Sequence, residues 1–102
     1  MIRERAFEFG VEIVKLCRNF PRDPAGVAII SQLVRSATSI GANIEEAQDA
    51  MSRADFLKCM NISLKEARES RYWLRVIKES GLGSVIRLEN LMSERTDRKN
   101  FD

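Results

Sequence analysis

Histidine is absent from this chain of 102 residues, and cysteine, proline and glycine are scarce, with two, two and five residues respectively. Without an imidazole, the chain cannot build a Ser–His–Asp or Cys–His catalytic site or a histidine metal site. Two cysteines, Cys17 and Cys59, are too few for the disulfide framework of a small secreted domain. The low glycine and proline content argues against a turn-rich β domain. We therefore expect a protein that is not an enzyme and that holds no cofactor or metal.

Long apolar runs are also missing, since no stretch approaches the roughly 20 residues that a membrane span requires. The charged N-terminus, Met-Ile-Arg-Glu-Arg, lacks the apolar core of a signal peptide, so we expect a cytoplasmic protein. The residues present are 44% hydrophobic and 31% charged, and 17 Lys+Arg against 15 Asp+Glu give a net charge of +2. This composition is too apolar and too nearly neutral for a disordered chain. The length suits a single domain.

Four helical segments follow from the capping residues and the prolines. A proline pair separates the first two helices, with Asp23 as the N-cap of the second and Pro24 in its first position. Ser52, followed three residues later by Asp55, is similar to a capping box and starts the third helix, which Gly81 ends. The predicted helices and frayed tail cover about residues 2–18, 24–49, 53–80, 85–95 and 96–102, with the first helix ending at Cys17 or Arg18.

Apolar or small residues recur in these segments at alternating steps of four and three, the spacing of helices in a bundle. The predicted core stripes are Ile2, Ala6, Phe9, Ile13 and Leu16; Gly26, Ile30, Leu33, Ala37, Ile40, Ile44 and Ala47; Phe56, Met60, Ser63, Ala67, Ser70, Leu74 and Ile77; and Val85, Leu88 and Met92. Short connections make neighbouring helices antiparallel. The sequence therefore predicts an all-α, up-down-up-down four-helix bundle with a short fourth helix, forming one domain over residues 1–102.

The first helix carries a second apolar stripe, formed by Phe7, Val11, Val14 and Cys17, of which Phe7, Val11 and Val14 are the candidate interface residues. A surface helix needs only one apolar stripe, about 100° wide. The second stripe either lies deep in the helix's own bundle or contacts another subunit. Because the short fourth helix leaves part of the longer helices uncovered, we expect a homo-oligomer with these three residues at the interface.

Basic side chains concentrate on the third helix, where residues 58–78 include six Lys or Arg and only two Glu. Steps of three, four and three place four of them on one face: Arg68, Arg71, Arg75 and Lys78. Three further basic residues are secondary candidates: Lys65, Lys58 and Arg35. Guanidinium groups bind phosphates bidentately, and Tyr72 and Trp73 offer rings for stacking on bases. The alternative is a solvated helix face that nearby glutamates partly neutralise.

The run from Gln32 to Glu46, QLVRSATSIGANIEE, resembles the helix-two signature of the 23S rRNA-intervening-sequence protein family, also called four helix bundle proteins. Asn19-Phe20-Pro21 is similar to the Phe-Pro that precedes this helix in the family. Residues 62–81, with Tyr72-Trp73-Leu74, are similar to its third helix. The similarity extends from about Phe7 to Leu91.

This resemblance implies a small bacterial four-helix protein that assembles as a homopentamer. It also implies a relationship to the accessory variability determinant of diversity-generating retroelements, a basic pentamer that binds nucleic acid. We therefore expect a homo-oligomer that contacts RNA or DNA phosphates through the basic face of the third helix. The alternative is an oligomeric scaffold that binds a protein partner and no nucleic acid.

Overall fold

Three α-helices account for most of the chain that the computed structural model describes, which is residues 2–20 and 22–82. The helices are α1 (Ile2–Cys17), α2 (Pro24–Gln48) and α3 (Arg53–Ser80). No β-strand occurs within the described ranges, which confirms the all-α prediction for that part of the chain. The predicted fourth helix, 85–95, and the predicted tail lie outside the described residues.

The helix ends form where local side-chain chemistry predicts them. Asp23 is the N-cap of α2, and its Oδ1 accepts a hydrogen bond of 2.7 Å from the backbone N–H of Gly26. Ser52 is the N-cap of α3, and its Oγ accepts a hydrogen bond of 3.1 Å from the backbone N–H of Asp55. Gly81 follows α3 with a φ of 86°, the left-handed conformation that glycine adopts without steric cost. These three predictions are confirmed.

α1 ends at Cys17, within the predicted range of Cys17 or Arg18, and α2 ends at Gln48, one residue before the predicted end at about Asp49. Asp49 is the C-cap of α2, and its backbone N–H donates to the carbonyl oxygen of Glu46 at 3.1 Å in a tightened last turn. Hydrogen bonds that span three residues instead of four satisfy carbonyl groups that would otherwise have no partner at a helix end.

The middle helix, α2, contacts both other helices, and each pair is antiparallel. At one end of the molecule, Arg3 of α1 pairs with Glu45 of α2, with 2.9 Å between the Arg3 Nε and a Glu45 carboxylate oxygen. α1 also approaches the α2 backbone closely, because Gly41 has no side chain. A Cβ built on Gly41 would lie 3.5 Å from the backbone of Ala6 and Phe7. The small residue thus lets two helix backbones meet almost directly.

The apolar core lies where all three helices and the α1–α2 connection meet. Its buried members are Ile13, Phe20, Leu33, Ala37 and Ile77. Leu33 and Ala37 have no exposed surface, so the central helix supplies the most deeply buried positions. Phe20, which belongs to none of the predicted stripes, covers the core from the connection.

Two large apolar residues of the predicted stripes are exposed. Ile2 is 61% exposed and Phe56 is 41% exposed. Each lies in the first turn or two of its helix. The helical period assigned them to the correct face, but within the described residues no neighbouring helix covers that face at these positions.

Candidate nucleic-acid interface

The four cations Arg68, Arg71, Arg75 and Lys78, here called the basic row, are all exposed on α3. At 100° per residue, the four side chains fall within an arc of about 80° around the helix axis. Because the structure has a continuous helix over these residues, the prediction that they share one face agrees with it. Within residues 2–20 and 22–82, no carboxylate forms a salt bridge with any of them. Lys58 and Lys65 are also exposed, further round the same helix.

The acidic residues of this part of α3 are turned away from the basic row, toward α2. Glu66 is a buried residue with 12% of its side chain exposed, and Glu69 is half-buried. Both carboxylates bind the guanidinium group of Arg35 on α2. Nη1 of Arg35 donates to Glu66 at 2.8 Å, and Nη2 donates to Glu69. The glutamates therefore neutralise Arg35 rather than the basic row.

Arg35 differs from the other cations proposed to contact phosphate. Its side chain is 46% exposed, but Nε donates to Gln32 at 3.3 Å while the two terminal nitrogens bind carboxylates. Every nitrogen of the guanidinium is thus engaged. In this arrangement Arg35 connects α2 to α3, and it is the secondary candidate with the least capacity left for a phosphate.

The distribution of charged residues in the sequence indicates such an ion pair, although helical periodicity alone does not identify it. Arg35 is the only charged residue in α2 before Glu45, and residues 58–78 contain only two acidic side chains. A lone cation on a helix that packs on both sides is placed to pair with a carboxylate of a neighbouring helix. Such a partner matters most for a nearly buried glutamate such as Glu66, because an unpaired buried charge is costly. The spacing does not tell which glutamates supply that partner.

Tyr72 and Trp73 lie beside the basic row and have different environments. Tyr72 is 56% exposed, whereas Trp73 is half-buried against the core. The two rings meet edge to face, with centroids 5.0 Å apart and planes at 72°. The indole N–H of Trp73 donates to a carboxylate oxygen of Glu69 at 3.1 Å. Trp73 is therefore held in place by the same carboxylate that binds Arg35.

Hydroxyl groups reinforce the contact between α2 and α3. Ser70 Oγ donates to Ser36 Oγ at 2.9 Å in a fully buried position, and Ser63 Oγ donates to the carbonyl oxygen of Ile40 at 2.9 Å. Small side chains allow close helix approach, as the sequence pattern indicated. They also satisfy their own polar atoms, as buried hydroxyl groups require.

An apolar groove runs between α1 and α2, here called the outer groove. It has a volume of about 420 Å³, and its walls include Phe7, Val11, Val14, Gly41 and Ala42. Phe7 is 67% exposed. The three residues predicted for a subunit interface are therefore brought together on one surface, beside the close crossing at Gly41.

A second apolar groove, the inner groove, runs between α1 and α3 over α2. Its volume is about 460 Å³, and its walls include Phe9, Ile40, Ile44, Met60, Leu64 and Leu74. Arg71 also lines this groove, unlike the other members of the basic row. Arg71 therefore borders the groove, whereas the exposed residues Arg68, Arg75 and Lys78 do not line it.

Other candidate sites are weaker in the part of the chain that the structure describes. In residues 2–20 and 22–82, no three His, Cys, Asp or Glu side chains are grouped to hold a metal ion. Cys17 and Cys59 are free thiols, both half-buried. Burial raises the pKa of the Cys17 thiol to about 11. Among the described helices, none has a stretch both long and apolar enough to cross a membrane.

Comparison with known proteins agrees with the fold. A crystal structure of a protein with unknown function from the S23 ribosomal protein family of Bacteroides thetaiotaomicron is 38% identical to this chain. The TM-score is 0.73, and the match covers 85% of this chain and 86% of that one. A comparison with curated proteins finds no match. The family model described as 23S rRNA-intervening sequence protein matches residues 1–100. The chain therefore belongs to the 23S rRNA-intervening sequence protein family.

Proposed function

We propose that this protein is a non-enzymatic, self-associating helical protein that binds RNA or DNA through the phosphate groups. The observation that carries the proposal is the separation of charge on α3. Glu66 and Glu69 bind Arg35 on the inner side of the helix, and the exposed cations of the basic row have no carboxylate partner among the described residues; Arg71 borders the inner groove, and Arg68, Arg75 and Lys78 do not line it. This arrangement leaves a cationic surface on a protein whose net charge is only +2.

The chemistry of the basic row suits phosphate. Arginine presents a planar fork of donors that matches phosphate oxygens, and the charge attracts a polyanion regardless of its base sequence. Self-association repeats the row on one particle, so that several weak contacts act together. RNA is the first ligand to test, because the family is named after intervening sequences of 23S rRNA.

The predicted fourth helix, residues 85–95, completes the bundle in this proposal by covering the inner groove. Gly81 ends α3 in a left-handed conformation with a φ of 86°, and in this proposal the segment that follows runs back along the three helices. Eleven helical residues extend about 16 Å, and the groove wall from Met60 to Leu74 extends about 21 Å along α3. The segment is thus long enough to cover most of the groove. It leaves Arg68 and Arg75 on the outer surface.

Self-association is assigned to the outer groove, which remains apolar when the inner groove is filled. Phe7 projects there with two-thirds of its surface exposed, beside Val11 and Val14. A monomeric protein rarely leaves such a contiguous apolar surface in water. The resemblance to the family favours a homopentamer, and subunit count is open to direct measurement.

Salt dependence tests nucleic-acid binding most directly. We expect a fragment of 23S rRNA to bind at about 50 mM salt and to dissociate progressively toward about 200 mM, as counterion release requires. Neutralising two cations in Arg68→Gln/Arg75→Gln reduces the slope of log affinity against log salt by about 1.4 per protomer in contact, given about 0.7 per phosphate of a single strand. The measurement is a filter-binding titration at several salt concentrations.

The matched control is Arg22→Gln/Arg53→Gln, which removes the same charge from two other exposed arginines. It should leave the slope unchanged. An equal reduction of the salt slope in both double variants would mean that net charge alone, and not the basic row, attracts the RNA. Absence of any complex at about 50 mM salt would overturn the nucleic-acid proposal.

The second candidate function is a scaffold for a protein partner. The observation that favours it is the exposed apolar side chains on the first half of α3, including Leu57 and Leu64. In that case reversing charge in Arg71→Glu/Arg75→Glu abolishes capture of the partner. Nucleic acid is then not bound even by the unmodified protein.

A further inference from the structure

Tyr72 combines two properties that are unusual in one side chain of this protein. The residue is 56% exposed, and exposed cations lie beside it on the helix surface. Arg68 and Arg75, four before and three after it, neighbour it on the helix, and Lys65 lies on the same face two turns before it. All three are exposed. An apolar ring thus lies within the basic surface.

The ring is supported from the interior. Trp73 contacts it edge to face at 5.0 Å, and Trp73 is itself anchored by the hydrogen bond from its indole N–H to Glu69. Glu69 is bound by Arg35 of α2. A chain of contacts therefore leads from the central helix to Tyr72. Such support reduces the conformational entropy that a binding surface loses when it engages a ligand.

We propose that Tyr72 is a stacking platform for an unpaired base, and that this surface of α3 binds single-stranded nucleic acid. The inference rests on the proposed function and specifies its ligand. A free base presents a π-face to an aromatic ring, whereas the bases of a duplex are already stacked on one another.

The cations are placed to bind the phosphates on either side of the stacked nucleotide. Arg68 and Arg75 are seven residues apart, about 10 Å along the helix, with Tyr72 between them. One guanidinium is thus available on each side of the base. Lys65 extends the cationic surface toward the N-terminal end of α3.

Trp73 provides the readout, because it is the only tryptophan in the chain. A base that stacks on Tyr72 comes close to the indole that supports it and changes its fluorescence. Three 12-nucleotide probes are compared in the native protein: a single-stranded RNA, the same RNA annealed to its complement, and an abasic strand that keeps the phosphates. We expect the single-stranded RNA to bind about 5- to 150-fold more tightly than the abasic strand, the range that one base–aromatic stack provides.

Two substitutions separate the ring from the charges. Tyr72→Leu keeps an apolar side chain of similar size but removes the π-face, and should reduce affinity for the single strand to that for the abasic strand. Tyr72→Phe keeps the ring and should bind the single strand as the native protein does. Circular dichroism establishes that both variants retain their helices.

The possible results distinguish the inference from the proposed function. If all three probes bind and Tyr72→Leu binds them as the native protein does, phosphate binding stands and the stacking platform is overturned. If none of the probes binds at low salt, the proposed function itself fails. If Tyr72→Leu does not fold, the test is the affinity of the native protein for the single-stranded RNA compared with that for the abasic strand. Equal affinities for these two probes would refute the proposal that Tyr72 stacks on a base.

Discussion

At the scale of single residues, Arg35 determines how charge is distributed on α3. It is the only charged side chain of α2 before Glu45, and it binds both acidic residues of the segment 58–78. Without Arg35, Glu66 would remain nearly buried without a cation, and Glu69 would be free to neutralise a neighbouring arginine. A residue that contacts no phosphate in our proposal therefore keeps the outward cations available.

Cys17 shows how burial alone changes a side chain's chemistry. The thiol is half-buried against the core, and desolvation of the thiolate raises its pKa from 9.0 to about 11. The folded state therefore keeps the proton at pH values where the unfolded state loses it. The free energy of unfolding consequently falls as pH rises from about 9 to about 11, and this contribution levels off above that range.

We predict slow alkylation of Cys17 in the folded protein. In the variant Cys59→Ser, with Cys17 the only thiol, the thiolate fraction at pH 8 should be about 100-fold lower in the folded state than in urea. Iodoacetamide labelling followed by mass spectrometry measures the two rates. Equal rates in buffer and in urea would contradict the predicted protection.

At the scale of helices, the ends of α2 and α3 form through interactions within three residues of the chain. Asp23 bonds the backbone of Gly26, and Ser52 bonds the backbone of Asp55. Such contacts require no tertiary partner, which is why the sequence predicts them. The one difference, at Asp49, concerns a single residue in the last turn of a helix.

We predict that Ser52→Ala lowers the free energy of unfolding by about 1 kcal/mol, because the first turn of α3 loses its capping oxygen. Urea denaturation followed by circular dichroism at equal protein concentration measures the change. Ser52→Asp, which keeps an acceptor at the same position, is the control and should be close to the native protein. A loss of the same size in both variants would exclude capping as the cause.

Helical periodicity identifies shared faces but not what covers them. It correctly assigned Leu33, Ala37 and Ile77 to the core. It placed Ile2 and Phe56 in the same stripes, yet both are exposed among the described residues. A stripe becomes core only where another element packs on it, and that depends on contacts distant in sequence.

At the scale of the whole molecule, α1 and α3 lie on either side of α2 and leave two apolar grooves. In our proposal, residues 85–95 of the same chain cover the inner groove, and a second copy covers the outer groove. One chain would then need both its own C-terminal segment and a neighbouring subunit to cover its apolar surface. Association through the outer groove would leave Arg68, Arg75 and Lys78 free for nucleic acid.

We predict that light scattering coupled to gel filtration gives a mass well above 11.7 kDa at micromolar concentration, and five times that value for a pentamer. Phe7→Ser/Val14→Ser should shift the mass toward the monomer, because both residues line the outer groove. The control Val27→Ser/Leu57→Ser changes two exposed apolar residues outside that groove and should keep the native mass. A monomeric native protein would refute self-association.

The amino-acid sequence by itself determined the three described helices, the capping residues and the grouping of four cations on one face of α3. Each depends on residues a few positions apart, where local hydrogen bonds and the helical period act. Only the tertiary structure decided that Arg35 binds Glu66 and Glu69, that Arg71 borders a groove, and that Trp73 supports Tyr72. The ion pairs join residues more than 30 positions apart, and the other contacts depend on which face of α3 packs against its neighbours.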